Sequence, residues 1–469
     1  MKNNKMMGSK MQIYNVNDYG AIADGETLST KSVQCAVDEC SANGGGIIRF
    51  EAGRYALSTV FLKSNVTIEI LEGTEILGAE SYYDYAQEEK VEYPIYQDSS
   101  HTYYYPSLFV GIDCENIKIT GGGKIDMRSV WDEDGVRGEA IKHRGAKCIA
   151  LKNCKNVEVS KLEIYNATDL AVYFAGCENV DIFGLKLKVY IDGISPDNSK
   201  NVRIHDCDVE TGDDGIVFKS SYTLNHLDIC KDIHVWNCRV KSRCNAIKFG
   251  TETNGGFENI LIENIEIIET RITGISIESV DGAIADGITI RNVKMTNVNA
   301  PIFIHVGKRM RGPKGREIGK IKNVLLENIT ADGPYEEYEI MPWNYFSYKA
   351  GDTRQNPKIF GMAESFDGTK ETDEWQMTSN ICGLKESPLE NITLKNVHLK
   401  LDGGVKEYKK EIPEEAQDYP EVYVYGRILP AKGIYFRHID GLTLDNVTVE
   451  TYASDAREDF IFEKVQIKL

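Results

Sequence analysis

The segments NVEVSKLEI (156–164), NVDIFGLKL (179–187) and NVRIHDCDV (201–209) repeat one pattern. Each begins with asparagine, alternates apolar and polar residues, turns, and then alternates again. An alternation with a period of two is typical of short strands that bury one face, and helices cannot carry it. These segments therefore predict a stack of short strands.

Related segments recur along most of the chain, and their spacing predicts a solenoid. Between residues 156 and 287 the starts are separated by as few as 22 residues (Asn179 to Asn201) and as many as 31 (Asn201 to Asp232). Such a length suits one coil of two or three short strands, and each coil then covers the apolar face of the last. The sequence therefore predicts an all-β fold, a parallel β-helix. Further copies begin at Asn65, Asn116, Asn259, Gly287, Asn323 and Asn391.

The 11 cysteines support this architecture rather than a disulfide framework. No two of them have the Cys-x-x-Cys spacing typical of zinc sites. Six recur at fixed positions relative to the repeated segment, as a stacked column of small apolar residues requires. We expect these six to lie in the core: Cys114, Cys154, Cys177, Cys207, Cys230 and Cys238.

Residues 29–41 predict one amphipathic helix that covers the open end of the stack. Ser29 or Thr30 is a suitable N-cap, and the glycines at 44–46 end the element. A cap is needed because an exposed sheet end invites edge-to-edge association. The apolar face at helical spacing consists of Val33, Ala36, Val37 and Cys40.

We expect a single domain over residues 1–469, with 1–11 disordered or tag-like. Two long aromatic stretches, 81–107 and 332–388, interrupt the repeat and are predicted to be loop insertions. Their rings can stack on sugars or pack on the body of the protein, and both uses stay open. The second stretch contains Trp343, Tyr345, Phe346, Tyr348 and Trp375.

The net charge limits the classes of partner. With 54 basic and 72 acidic residues the chain carries a formal charge of −18, which argues against binding to nucleic acid or to an anionic membrane. No apolar run reaches the roughly 18 residues that span a bilayer. The first ten residues lack the hydrophobic segment of a secretory signal, so we expect a cytoplasmic location, or a secreted or periplasmic one if a signal has been removed. The sequence does not indicate an oligomeric state.

The segment from Asp192 to Lys219 concentrates the residues suited to catalysis. Asp192 precedes Asp213 and Asp214 by about one coil, so the three carboxylates are expected side by side on neighbouring coils. Clustered carboxylates raise the proton affinity of at least one member, and glycosidic cleavage needs a protonated acid beside an ionised base. For inversion we expect these groups about 6.5–9.5 Å apart. A solvated turn or a divalent-metal site stays open on these residues alone.

The same segment resembles a known family. The string DGI (192–194), followed one coil later by GDD (212–214) and KS (219–220), is similar to the catalytic signature of glycoside hydrolase family 28, the polygalacturonases and related pectin hydrolases. The family's Asn-Thr-Asp-Gly motif reads YIDG (190–193) here. The resemblance covers most of residues 12–330.

This resemblance implies a single-stranded right-handed parallel β-helix with a short N-terminal capping helix. It also implies that Asp213 is the general acid, and that Asp192 and Asp214 hold and activate the attacking water. The substrate would be an oligo- or polysaccharide. No organic cofactor is predicted, because no glycine-rich phosphate loop precedes a helix. No metal is predicted either.

The chain departs from the family at the substrate-binding motifs. The Gly-His-Gly motif falls on CNA (244–246), so Asn245 replaces the histidine. The Arg-Ile-Lys motif, which binds the substrate carboxylate, falls on SIE (276–278), so Ser276 and Glu278 replace both basic residues. A glutamate at that position repels an acidic sugar at the cleavage subsite. The further candidate substrate contacts are Tyr190, Lys219, Arg243, Lys248 and Glu252.

Two other groups of residues near these motifs are interpreted as structural. The basic run from Lys308 to Arg316 is predicted to be a solvated loop, and its use as a ligand site that substitutes for the missing basic motif stays open. His305, directly before it, is expected to be a structural or rim residue.

Three functional hypotheses follow. The first is an inverting hydrolase of a pectin-like or other plant or microbial saccharide, exo-acting because the insertions wall off one end of the groove. The second is a β-helix polysaccharide lyase, in which Lys or Arg abstracts a proton and calcium neutralises a uronate. The third is a carbohydrate-binding β-helix without catalysis.

Overall fold

The computed structural model describes residues 11–87, 89–97, 99–132, 144–335, 377–414 and 417–468. Over these residues the strands of successive coils pair in parallel, and the chain folds as the right-handed parallel β-helix that the repeats and the resemblance predict. Residues 1–10 and the aromatic residues named in the second predicted insertion lie outside the described residues.

The early coils contain β1 (Ile13–Asn15), β2 (Asp24–Leu28), β3 (Gly46–Phe50), β4 (Gly53–Leu57), β5 (Val60–Phe61), β6 (Val66–Ile70), β7 (Thr74–Gly78), β8 (Ser107–Ile112), β9 (Glu115–Thr120) and β10 (Lys124–Asp126). The middle coils contain β11 (Lys147–Lys152), β12 (Lys155–Ser160), β13 (Glu163–Tyr165), β14 (Val172–Ala175), β15 (Glu178–Phe183), β16 (Lys186–Val189), β17 (Ile194–Asp197), β18 (Lys200–His205), β19 (Asp208–Thr211) and β20 (Ile216–Ser220). The later coils contain β21 (Ile229–Ser242), β22 (Asn245–Thr253), β23 (Gly256–Ser279), β24 (Ile284–Val306), β25 (Lys320–Asp332), β26 (Ser379–Cys382), β27 (Leu389–Gly403), β28 (Ala431–Ala453) and β29 (Glu458–Ile467).

The core is a set of columns that run along the solenoid. One column stacks isoleucines in parallel register through β17, β20, β22, β23 and β24, and every member is buried. The six cysteines predicted to lie in the core are all buried, which confirms their packing role. The isoleucine column consists of Ile194, Ile216, Ile247, Ile275 and Ile302.

The asparagine that begins each repeat has a conformational reason. Asn156, Asn179 and Asn201 have positive φ angles of 55°, 58° and 54°, a left-handed conformation that asparagine tolerates better than most residues. Their amides also stack: Asn179 Nδ2 donates to Asn156 Oδ1 at 3.1 Å, and Asn201 Nδ2 donates to Asn179 Oδ1 at 3.3 Å. The repeat is therefore visible in sequence because one turn geometry recurs in every coil.

The predicted capping helix is present as α1 (Thr30–Ala42). Its predicted apolar face is buried against the first coils. Ser29 precedes the helix, but its side chain does not cap it. The hydroxyl instead accepts a hydrogen bond from Ile22 N at 2.9 Å, so Ser29 ties the helix to the entry segment.

The insertions have more structure than the sequence indicates. Residues 81–107 include a 3-10 turn at Tyr82–Asp84 and a short helix, α2 (Ser99–Thr102). The predicted bounds 332–388 are wrong at the C-terminal side, because strand β26 lies inside them and pairs with β24 and β28. The sequence of β26, Ser-Asn-Ile-Cys, does not alternate apolar and polar residues as the repeated segments do.

A segment between β27 and β28 crosses the outside of the later coils. Arg437, which is 1% exposed, donates to the carbonyl oxygens of Ile412 at 3.0 Å and Pro413 at 3.1 Å. Further along, Tyr425 OH lies 3.0 Å from His305 Nδ1. These contacts fix the described parts of residues 404–430, named here the covering segment, on the solenoid. Within the described part of the chain, no helix has the length and hydropathy needed to cross a membrane.

Candidate active site

The three predicted aspartates meet where two adjacent coils turn. Asp192 lies between β16 and β17, and Asp213 and Asp214 lie between β19 and β20, one coil later. The turns stack directly, since Gly193 N donates to Asp214 O at 3.0 Å. One oxygen from each carboxylate lies within 4.8 Å of the others. The coil spacing read from the sequence therefore brings these three side chains together.

Two glycines make this stacking possible. A Cβ on Gly193 would lie 2.6 Å from Gly215 O and 2.7 Å from Val209 Cγ1. A Cβ on Gly215 would lie 2.4 Å from Val240 Cγ1 and 2.6 Å from Ala246 O. The glycine next to each acid is thus required by close approach of neighbouring coils.

The carboxylates lie closer together than the sequence analysis expects. The expected gap for an inverting pair is about 6.5–9.5 Å, whereas the nearest oxygens here fall within 4.8 Å. The physical reason is the stacking itself, because adjacent coils are separated by only about 4.8 Å in the hydrogen-bonding direction. The general distance rule therefore does not assign the stereochemistry of this site.

Burial and the neighbouring carboxylates raise the pKa of two of the aspartates, Asp192 and Asp214. Asp192 is 4% exposed, and burial raises its pKa to about 7 against the opposing effect of Lys219, with Asp213 and Asp214 adding to the rise. Burial also raises the pKa of Asp214, although Lys248 opposes the rise. Asp192 and Asp214 therefore each hold a proton more tightly than an ordinary aspartate does.

One side of the cluster is a chain of ion pairs. Lys219 Nζ lies 3.4 Å from Asp192 Oδ2 and 3.4 Å from Glu252 Oε2. Arg311 Nη2 lies 2.5 Å from the other Glu252 oxygen. Although burial opposes ionisation, nearby cations hold the pKa of Glu252 well below its usual range. Glu252 therefore connects Arg311, in the basic run from Lys308 to Arg316, to the residues around Asp192.

Part of the basic run from Lys308 to Arg316 contacts a buried acid, Asp281, instead of pointing into solvent. Arg309 donates to Asp281 at 2.5 and 3.0 Å and to Thr251 O at 2.7 Å. Arg311 N also donates to Asp281 Oδ1 at 2.8 Å. For Arg309 the prediction of a solvated loop is wrong, because the buried carboxylate of Asp281 attracts it.

The other side of the cluster holds four residues, Asn245, Lys248, Glu278 and Glu421, named here the Lys248 group. Lys248 Nζ donates to Glu421 Oε1 at 2.6 Å and lies 3.6 Å from Glu278 Oε1 and 3.7 Å from Asp214 Oδ2. Asn245 Nδ2 donates to Asp214 Oδ1 at 2.8 Å. These contacts connect the Lys248 group to one of the three aspartates.

The charges of the Lys248 group balance internally. Burial works against the ammonium of Lys248, but Asp214, Glu278 and Glu421 outweigh it and raise the pKa well above the usual range. Burial raises the pKa of Glu278 to about 8, while Ser276 Oγ donates to its carboxyl group at 2.7 Å. Lys248 is thus a cation whose charge is already paired within the protein.

The remaining predicted site residues lie at different depths. Ser276, Glu278 and Asn245 have no exposed surface, so they lie behind the aspartates and not on an open wall. Tyr190, 9% exposed, packs edge-on against Trp131 with ring centroids 5.5 Å apart. Arg243 is half-buried in the turn before β22, where its backbone N donates to Thr211 O at 3.0 Å.

Two residues near the cluster are absent from the sequence-based candidates. Arg144 Nη2 lies 3.6 Å from Asp213 Oδ2, and Glu421 completes the Lys248 group. Both come from segments without the repeat pattern, and Glu421 lies 176 positions from Asn245. No signal in the sequence places either residue at the site.

Comparison with solved structures defines the class of fold. The structure of a hyperthermoactive exopolygalacturonase from Thermotoga maritima superposes on this chain with a TM-score of 0.66 at 18% sequence identity. The match includes 94% of this chain and 92% of the Thermotoga chain. The structure of a family 28 exopolygalacturonase from Yersinia enterocolitica superposes with a TM-score of 0.67 at 20% sequence identity. The match includes 98% of this chain and 78% of the Yersinia chain. These likenesses show that the chain shares the right-handed parallel β-helix fold of both structures.

Comparison at the sequence level defines the family. A profile of Glycosyl hydrolases family 28 matches residues 58–339, more than half of the chain. The chain belongs to this family.

The curated relatives are similar over part of their length. A probable polygalacturonase from Vitis vinifera is 28% identical over 279 residues, and an exo-poly-alpha-D-galacturonosidase from Dickeya chrysanthemi is 25% identical over 342 residues. These matches cover 56% and 61% of this chain, which spans 56% of the length of each relative.

Proposed function

We propose that the protein is an inverting glycoside hydrolase that cleaves an O-glycosidic bond in a pectin-like oligo- or polysaccharide. The observation that carries the proposal is the buried cluster of Asp192, Asp213 and Asp214, in which burial raises the pKa of Asp192 to about 7. Membership of family 28 and the similarity to polygalacturonases support the same class of substrate.

The proposed roles follow the resemblance of the motifs. Asp213 donates its proton to the glycosidic oxygen as the bond to the anomeric carbon breaks. A water molecule held by Asp192 and Asp214 attacks that carbon from the opposite face and loses a proton to the carboxylate that acts as base. One bond is broken, one is formed, and the product carries a new hydroxyl group at its reducing end.

We further propose that the sugar at the cleavage subsite is not a uronate. Ser276 and Glu278 stand where the family carries the two basic residues that bind the substrate carboxylate. Lys248, the nearby cation, is 2% exposed and already contacts Glu421. A sugar carboxylate at this position would therefore gain little from the charge of Lys248 and would meet the carboxyl groups of Glu278 and Glu421.

The test is release of reducing ends from a panel of neutral, uronic and mixed pectic oligosaccharides. We expect Asp213→Asn to lower kcat at least about 100-fold, because the variant cannot supply the proton. Binding of the same saccharide, measured by calorimetry, should persist. Turnover should favour substrates with a neutral sugar at the cleaved position.

Asp208→Asn is the matched control, because Asp208 is an exposed aspartate on the preceding strand that pairs with Arg239. This variant should retain wild-type turnover. An unsaturated product that absorbs in the ultraviolet would contradict hydrolysis and indicate a lyase. Binding without turnover by the wild-type protein on the whole panel would indicate a carbohydrate-binding role.

A further inference from the structure

The covering segment brings a buried carboxylate to the rear of the aspartate cluster. Glu421 is 1% exposed and accepts a hydrogen bond from Lys248 Nζ at 2.6 Å. Asn245 Nδ2 also approaches its two oxygens, at 3.3 and 3.4 Å. Glu421 therefore contacts both residues that join the Lys248 group to the cluster.

Both of these residues also contact Asp214. Asn245 donates to Asp214 Oδ1 from its side chain at 2.8 Å and from its backbone at 3.2 Å. Lys248 Nζ lies 3.7 Å from Asp214 Oδ2, which is 1.1 Å farther than from Glu421. The shorter contact draws the ammonium of Lys248 toward Glu421 and away from Asp214.

The covering segment holds Glu421 firmly in this place. Val424 N donates to Glu421 O at 2.8 Å, and Asn380 Nδ2 donates to Val422 O at 2.8 Å. Because its side chain is only 2% exposed, Glu421 is shielded from a sugar in the cleft. Its geometry fits an action through neighbouring residues and not direct contact with substrate.

We propose that Glu421 is a positioning residue that controls Asp214 by pairing with Lys248 and by holding the amide of Asn245. The inference rests on the proposed function, in which Asp214 helps to activate water. The basicity of Asp214 thus depends on a residue, Glu421, that lies outside the repeated coils.

The surrounding charges determine the direction of the effect. The groups that face Asp214 are Asp192, Asp213, Lys219, Asn245, Lys248 and Glu278. Lys248 in turn faces Glu278, Glu421 and Tyr419. Without the charge of Glu421, Lys248 would pair more closely with Asp214 and lower the pKa of that carboxyl group. A more weakly basic Asp214 activates water less well.

The test is the pH profile of Glu421→Gln, which keeps the shape of the side chain and removes its charge. We expect the acid limb of the kcat profile to move to lower pH by roughly one unit. We expect kcat at its maximum to fall about tenfold, with KM within about twofold of wild type. Circular dichroism and the thermal midpoint establish that the variant is folded.

Three further variants make the test specific. Glu411→Gln removes an exposed charge from the same segment and should behave as wild type. Lys248→Gln should move the acid limb to higher pH, because it removes the cation itself. Glu421→Asp keeps the charge and should retain a larger part of kcat than Glu421→Gln does. If either Glu421→Gln or Lys248→Gln fails to fold, the other still reports the direction in which the acid limb moves.

Opposite outcomes separate this inference from the proposed function. An unchanged profile for Glu421→Gln, or a rise in KM alone, would overturn the positioning role while hydrolysis stands. Absence of turnover by the wild-type protein on the saccharide panel would overturn the proposed function, on which the inference depends.

Discussion

At the residue scale, the raised pKa of Asp192 links catalysis to stability. Burial raises this pKa from 3.8 to about 7, so the native state binds the proton more tightly than the unfolded chain does. The contribution of this group to stability is fully present below pH 3.8 and is lost as the pH rises through 7. At alkaline pH the buried carboxylate of Asp192 is ionised, and its charge lowers the free energy of unfolding.

We therefore expect Asp192→Asn to be more stable than wild type at pH 8, by on the order of 2 kcal/mol. This figure is below the full effect of the shift, because Lys219 loses its contact with the Asp192 carboxylate in the variant. The difference should shrink toward pH 4. Urea unfolding of both proteins from pH 4 to 8 measures it, with exposed Asp208→Asn as the control. A variant that is less stable at every pH would contradict the account.

The sequence predicts the members of the aspartate cluster but not their surroundings. Asp192 and Asp213 are one coil apart in sequence, and the coil spacing alone brings them together. The depth of Asn245 and Glu278 depends on what covers them, which periodicity does not encode. Glu421 comes from a segment without repeats, so only the folded chain reveals it.

At the element scale, the asparagine ladder explains why the coils stack in register. Asn179 has a φ angle of 58° and exchanges amide hydrogen bonds with the asparagines of both neighbouring coils. Such a ladder satisfies polar side chains at an exposed turn and also fixes a left-handed residue. The repeat in the sequence is the direct trace of this geometry.

A matched pair of substitutions separates the two contributions. Asn179→Gly should cost about 1 kcal/mol through lost hydrogen bonds, since glycine accepts the left-handed conformation. Asn179→Ala should cost about 1 kcal/mol more, because alanine is strained there. Equilibrium unfolding measures both values. Equal stability of the two variants would contradict the conformational part of the argument.

The elements that follow the common pattern are predictable, and those that depart from it are not. The apolar residues of helix α1 recur every three to four positions, a spacing that differs from the alternation of the strands. The predicted bounds therefore fall within one residue of the observed Thr30–Ala42. Strand β26 begins with two polar residues, Ser379 and Asn380, and does not alternate, so its four residues resemble a loop in sequence. Ser29 marks the start of the helix but bonds to the entry segment.

At the scale of the whole molecule, the site lies where a regular ladder meets irregular segments. The ladder places Asp192 beneath Asp213 and Asp214, and it limits their separation to the spacing of the coils. Charges that modify these acids come from elsewhere: Arg144 precedes β11, Arg311 follows β24, and Glu421 precedes β28. Family membership therefore defines the ladder, while this chain's own segments define the electrostatics around it.

The most direct test of the account follows the anomer first formed when the wild-type protein cleaves a saccharide from the panel. Proton NMR within the first minutes of reaction reports this configuration before mutarotation. We expect a new reducing end whose configuration is opposite to that of the cleaved bond, and no product from Asp213→Asn. Retained configuration, an unsaturated product, or undiminished turnover by Asp213→Asn would contradict inverting hydrolysis at the aspartate cluster.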